Sequence, residues 1–254
     1  MYKRSIGTLV LLAAFAATMQ TALRAERVGA AAAVKPSSTG TPPGAAAQTL
    51  QVGTDIVTNE RIQTTGSGSL QVMFLDKSTL TIGPNSEVVI DEFVYRPDAN
   101  GGSFTASMTK GALRFVGGQI SHNSGVTVQT PVATIGLRGG AAFITHDAVC
   151  QAKQTGAGAQ CTKVVCTGGV CTVNSKIDSR SLQLRINQAV EIGALGASQP
   201  FSVTSVTLND VSRGRDGAIV KAVGNKTTAT FTGQGTISQT IAEQSPEPPP
   251  PAPP

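Results

Sequence analysis

Between residues 49 and 195 apolar side chains recur at alternate positions: Leu70, Val72 and Phe74, then Leu80 and Ile82, then Val88 and Ile90. A period of two places them on one face of a strand and sends the intervening polar residues to the other. Turn signals punctuate the pattern at Gly66-Ser67-Gly68, Asp76-Lys77-Ser78, Gly83-Pro84-Asn85-Ser86, Asn100-Gly101-Gly102, Gly117-Gly118 and Asn123-Ser124-Gly125. Such spacing predicts an all-β domain of many short strands. A β-solenoid-like roll is the first expectation and a β-sandwich the alternative, because the segments keep no clean repeat length. The best helical candidate is Asn209 to Val223, where Asp210 can cap but Gly214 and Gly217 interrupt.

The ends of the chain follow other rules. Lys3 and Arg4 precede an uncharged, mostly apolar run from Ile6 to Met19, and small residues at Ala22, Ala25 and Ala30 offer cleavage positions. This is the layout of a secretory signal peptide, assigned to residues 1–25. The run is shorter than the roughly 20 residues a membrane span needs, and no other stretch is long and apolar enough. The expectation is export to the periplasm, the medium or the cell surface, with no stable membrane insertion after cleavage. No cysteine stands near the cleavage zone to accept a lipid. Residues 26–48, rich in Ala, Pro, Ser, Thr and Gly, read as a flexible linker. Residues 196–245 form a mixed C-terminal extension, and 246–254 a disordered tail carrying 7 of the 14 prolines.

Net charge changes little. The formal +5 includes Lys3, Arg4 and Arg24, which leave with the signal peptide, so the processed chain is nearly neutral. With no Trp and only two Tyr, it lacks both the basic face and the stacking platforms of nucleic-acid binders, and no nucleic-acid partner is expected.

Several blocks, taken together, carry a family likeness. They are Val52-Gly53, Ile62-Gln63-Thr64 with Gly66, Ser69 through Asp76, Ser78 through Ile82, Asn85-Ser86, Gly111-Ala112-Leu113-Arg114-Phe115, and Thr130-Pro131-Val132-Ala133 through Arg138-Gly139. In this order and spacing they resemble the FecR domain over about residues 50–195, within a domain drawn at 49–195. The resemblance implies a β-rich periplasmic or surface module for sensing or binding. In the regulators that name the family, this module follows an anti-sigma segment and a membrane helix, whereas here a signal peptide precedes it, as in a stand-alone exported member. The chain departs from the family at Asp76-Lys77, where Asp-Gly is usual, and at Arg138-Gly139-Gly140, where Arg-Gly-Thr is usual. Gly111, Arg114, Thr130, Pro131, Arg138 and Gly139 are structural motif residues in this reading. The glycines supply backbone geometry and Pro131 a strand end. Arg138, flanked by Ile135, Leu137 and Phe143, is expected to be half-buried and bonded to carbonyls or to Asp76.

Cys150, Cys161, Cys166 and Cys171 form an even set in an exported chain, which favours two disulfides. Three pairings are possible. Cys166-Thr167-Gly168-Gly169-Val170-Cys171 reads as a hairpin with its turn at Gly168-Gly169, placing Cys166 opposite Cys171 and leaving Cys150 for Cys161; the hairpin region is drawn at 143–175. Zinc is the rival, weakened by the lack of a close ligand pair and by the presence of only His122 and His146. No metal and no cofactor are expected. Nor is an enzyme: there is no Gly-x-Ser-x-Gly elbow, and the neighbours His146-Asp147 and Asp91-Glu92 point to opposite faces of a strand. The expected function is non-catalytic binding or sensing in the envelope, engaging a protein partner through a sheet edge or a solenoid face. The alternative is a structural or adhesive surface protein contacting polysaccharide through Thr and Ser ladders.

Overall fold

The computed structural model describes residues 25–99, 101–150, 152, 155–156, 160–203, 205–207, 218–223 and 226–231. The expected signal peptide up to Arg24 and the Pro-rich tail lie outside them. Sixteen strands join in one sheet: β1 Arg27–Lys35, β2 Ser38–Thr41, β3 Gln48–Thr49, β4 Asp55–Val57, β5 Arg61–Thr64, β6 Ser69–Phe74, β7 Thr79–Ile82, β8 Glu87–Arg96, β9 Gly101–Val116, β10 Val126–Gln129, β11 Ala133–Val149, β12 Gln160–Ser175, β13 Ser181–Leu184, β14 Gln188–Gly193, β15 Gly196–Ala197 and β16 Phe201–Ser202. A separate sheet holds β17 Ser205–Thr207, β18 Ala218–Val223 and β19 Lys226–Phe231. One short helix, α1, spans Gln119–Asn123.

The all-β expectation holds, and the strands show how one sheet becomes a roll. Three of them, β9, β11 and β12, run 16 or 17 residues, far longer than the short segments expected. Each pairs with different neighbours in its two halves. The first half of β9 pairs with β8 and β10, its second with β7 and β11. Likewise β12 pairs with β14 through Thr162–Cys166 and with β13 through Cys171–Asn174. The sheet therefore creases across these strands into two layers. Layer one runs β3-β2-β5-β8-β9-β10-β11-β12-β13. Layer two runs β4-β1-β6-β7-β9-β11-β12-β14-β15. Phe104 and Phe115 prove the fold-over: both lie on β9, yet their rings stack at 5.4 Å, where a straight strand would separate them by roughly 36 Å. Phe74 and Phe93 join the same aromatic cluster. The alternating apolar residues of both layers meet in one buried core.

Glycines make the crease. Gly111 (φ +94) bends β9, and a Cβ there would meet Ser86 Oγ at 2.1 Å. On β11 and β12 the bends pack on each other: a Cβ on Gly140 would stand 1.9 Å from Gly168 O, and one on Gly169 2.2 Å from Gly139 O. Gly139 and Gly169 have φ of +58 and +62, backbone open to glycine with little strain. The glycine at 140, a departure from the family pattern, thus follows from the close approach of Gly168.

Three expectations change. The linker at 26–48 is instead built into the sheet: β1 lies between β4 and β6, with Val28 fully buried, and β2 pairs with β5. Its small residues serve close packing, since a Cβ on Gly29 would stand 2.4 Å from Met73 O. Gly168-Gly169 is a bend inside the continuous strand β12 and not a hairpin turn. The helical candidate is a strand where it is described, Ala218–Val223, paired with β19; residues 208–217 lie outside the described set.

Candidate binding surface

Alternation leaves the outer face of layer one polar. Ser103, Thr105 and Ser107 of β9, Thr127 and Gln129 of β10, and Thr134 and Gly136 of β11 stand out from the core, as do Thr172 and Asn174 of β12. Register aligns them into rows. One runs Thr105–Thr127–Gly136–Thr172–Gln183 and the next Ser107–Gln129–Thr134–Asn174–Ser181. Each crosses five strands, about 19 Å at the usual interstrand spacing.

At Gly136 the first row is interrupted, and a groove of about 470 Å³ opens there. No backbone constraint requires this glycine. An added Cβ would find its nearest atom, Thr172 O, at 3.8 Å, and the residue's φ is not positive. Its bare Cα gives the groove its depth. Arg138, two residues on, is exposed, and among the described residues that line the groove it is the charged one. A second depression of about 440 Å³ adjoins it past Gly102 and Ser103, where Ser103 Oγ donates to Glu92 Oε1 at 2.6 Å.

The half-buried setting expected for Arg138 is corrected: after Leu137 enters the core, alternation turns Arg138 outward. Asp76 is occupied elsewhere. Its Oδ1 accepts from Ser78 N and its Oδ2 from Ile120 N at 3.2 Å, so it closes the β6–β7 turn and holds the start of α1. Lys77, in the position where the family has Gly, takes φ +67.

The other motif residues build the frame. Thr130 and Ala133 close a two-residue hairpin with Pro131 exposed at its tip: Thr130 N donates to Ala133 O at 2.8 Å, and Ala133 N to Thr130 Oγ1 at 3.0 Å. Thr162 Oγ1 adds a bond to Thr130 Oγ1 at 2.9 Å and meets His146 Nδ1 at 2.8 Å. Arg114 lies on the outer side of layer two, opposite Thr81 and Phe143 in register. It is 7% exposed, its guanidinium carbon is 6.0 Å from the Phe143 ring centre, and its Nε has no hydrogen-bond partner. Burial lowers its pKa.

Cys166 and Cys171 are bridged, with Cα atoms 5.8 Å apart across the bend of β12. The pairing is the expected one, reached by a crease instead of a hairpin. The second expected pairing is not closed here: Cys150 and Cys161 stand unbridged, as buried thiols in hydrogen-bond contact with each other. Among the described residues, no three His, Cys, Asp or Glu side chains gather to hold a metal, and no helix is long and apolar enough to cross a membrane.

Sequence reasoning missed Gly136, Thr127, Thr172 and Gln183. Each strand's alternation showed a polar side, but only cross-strand register brings these residues together.

Residues 60–171 match the family described as FecR protein. Two crystal structures of a candidate anti-sigma factor from Parabacteroides distasonis ATCC 8503 are similar to this chain at 13% and 11% identity, with TM-scores of 0.42 and 0.40. Each match covers 56% of this chain and 59% of the other, so the chain spans about three-fifths of those structures' length. No curated protein matches the chain.

Proposed function

We propose, on the premise that residues 60–171 belong to the FecR family, that this chain is an exported, non-catalytic binding and sensing module of the cell envelope that engages a protein partner. The groove over Gly136 carries the reading. It is an open, hydroxyl-lined depression with a single exposed guanidinium and no acid, suited to a partner that presents a carboxylate to Arg138 and hydrogen-bonding groups to Thr127 and Thr172.

Export is part of the proposal. The charged start and apolar run support it, and β1 supports a particular cleavage position. Cutting after Ala30 would delete Arg27 to Ala30 and with them the buried Val28, whereas cutting after Ala22 or Ala25 leaves β1 whole.

The test places a photo-crosslinking residue at Thr127 in the full chain and recovers adducts from intact cells, with Gly136→Val as control. The expected result is one envelope protein crosslinked by the parent, with at least a tenfold loss in the Gly136→Val chain and unchanged melting. The rows of hydroxyls and amides favour a second reading, a surface protein that contacts polysaccharide. A parent chain that crosslinks no protein but is retained on anionic polysaccharide would establish that alternative.

A further inference from the structure

The thiols of Cys150 and Cys161 stand at the end of the roll where β11 ends and β12 begins. Ala148 opposes Cys161 and Val149 opposes Gln160, so the last rungs of the β11–β12 ladder lie beside both cysteines. Both side chains are buried, 2% and 1% exposed, and they hydrogen-bond to each other. On the far side lies β14. A Cβ on Gly193 would stand 2.8 Å from Cys150 Sγ, so the sulfur rests directly on that strand. Two residues earlier, Glu191 Oε2 accepts Ala152 N at 2.9 Å, and its Oε1 lies 3.8 Å from Lys163 Nζ. Cys150 and Ala152 thus both meet β14, and the two sulfurs are already hydrogen-bond partners.

We infer that Cys150 and Cys161 are closed in the mature protein into a second disulfide, a clamp that ties the end of β11 to the start of β12 where both meet β14. Closing it breaks two S–H bonds, forms one S–S bond and releases two protons and two electrons. The electrons pass to a disulfide oxidant, a thiol–disulfide oxidase of the exported compartment or oxidised glutathione in the test tube, which is itself reduced to two thiols. The attacking species is a thiolate, and burial pushes the Cys161 thiol far up, with the neighbouring Cys150 and Glu191 adding to the shift and Lys163 opposing it. The bridge therefore forms during folding, before the thiols are buried, and their burial then shields it from reductants. Because β14 lies beyond residue 171, where the family match ends, the clamp fastens the family segment to the strands that follow it. It acts whether or not the groove binds a partner.

The decisive experiment is peptide mapping of the processed protein, alkylated in denaturant without reductant. The expected result is a crosslinked peptide pair containing Cys150 and Cys161, with neither residue alkylated. Alkylation of both while Cys166–Cys171 stays bridged, or a crosslink from either to Cys166 or Cys171, overturns the inference. A second measurement uses a Cys166→Ser/Cys171→Ser background. There reductant should lower Tm by roughly 10 °C, the loss expected for a loop of this size in a domain of this size. Cys150→Ser, Cys161→Ser and the pair together should show one common Tm that reductant does not shift. Single effects that add, with no response to reductant, would mean that the thiols only pack.

Discussion

Arg114 and Arg138 both fall in the motif that marks this chain, and the two layers treat them oppositely. Arg138 projects from layer one into solvent beside an open groove. Arg114 projects from layer two, where Phe143, Val165 and Ala189 occupy the same cross-strand row and are buried. Both arginines follow one alternation on one creased sheet. The outer face of layer one is polar and open to solvent, whereas that of layer two carries a buried guanidinium with no partner at Nε. An arginine's role here depends on which half of a bent strand holds it, and that is set by the glycines at the crease.

Removing the crease should erase the difference between the two layers. Gly140→Val would drive a side chain into Gly168 O, 1.9 Å from the ideal Cβ position. A loss of about 4 kcal/mol or more, read by denaturant melts or as absent soluble protein, is expected. Gly136→Val, four positions earlier on the same strand, should melt like the parent, because its Cβ meets only ordinary contacts. Equal damage from both would show that Gly136 is structural and leave the groove without its argument.

A second buried charge calibrates the cost borne by Arg114. Glu60 is fully buried, with Oε1 unpaired and Oε2 accepting Val57 N at 2.9 Å. Desolvation raises its pKa and the Val57 hydrogen bond partly opposes that. The folded state therefore holds its proton to higher pH than the unfolded state. The protein is favoured while Glu60 is protonated in both states and loses stability as pH rises through the raised folded value. Glu60→Gln should stabilise the protein at pH 7 by about 1–2 kcal/mol and leave it unchanged near pH 4, measured as the difference in melts between variant and parent. A variant less stable at pH 7 would show that the carboxylate is paid back by interactions of its charged form.

Arg114→Met keeps the apolar stem against Phe143 and removes the unpaired donor. It should be neutral or stabilising by about 1 kcal/mol in the same assay. A clear destabilisation would show that the guanidinium's remaining nitrogens support the fold.

Arg138→Ala should change stability least, by less than about 0.5 kcal/mol, as is usual for an exposed side chain without partners in the fold. Its effect should appear in binding, with the Thr127 crosslink to the envelope partner weakened several-fold. A variant that binds normally would move the recognition surface away from this groove.

Whatever depends on neighbours along the chain was legible from the residues alone. Alternation at Leu70, Val72, Phe74, Leu80 and Ile82 was enough for an all-β domain, because the pleat gives a strand its period without reference to other strands. Cys166 and Cys171 were legible as a pair because so few residues separate them. Tertiary structure decided the rest, because a glycine or a run of alanines looks the same whether it is free or crowded. Gly168-Gly169 bends a strand instead of turning a hairpin because β11's own glycines come within van der Waals contact of it. Residues 26–48 have a linker's composition, yet Gly29 and its neighbours are small because β6 passes against them. Likewise Thr105, Thr127, Gly136, Thr172 and Gln183 become one row only through register, which is fixed by burying the opposite face of every strand at once.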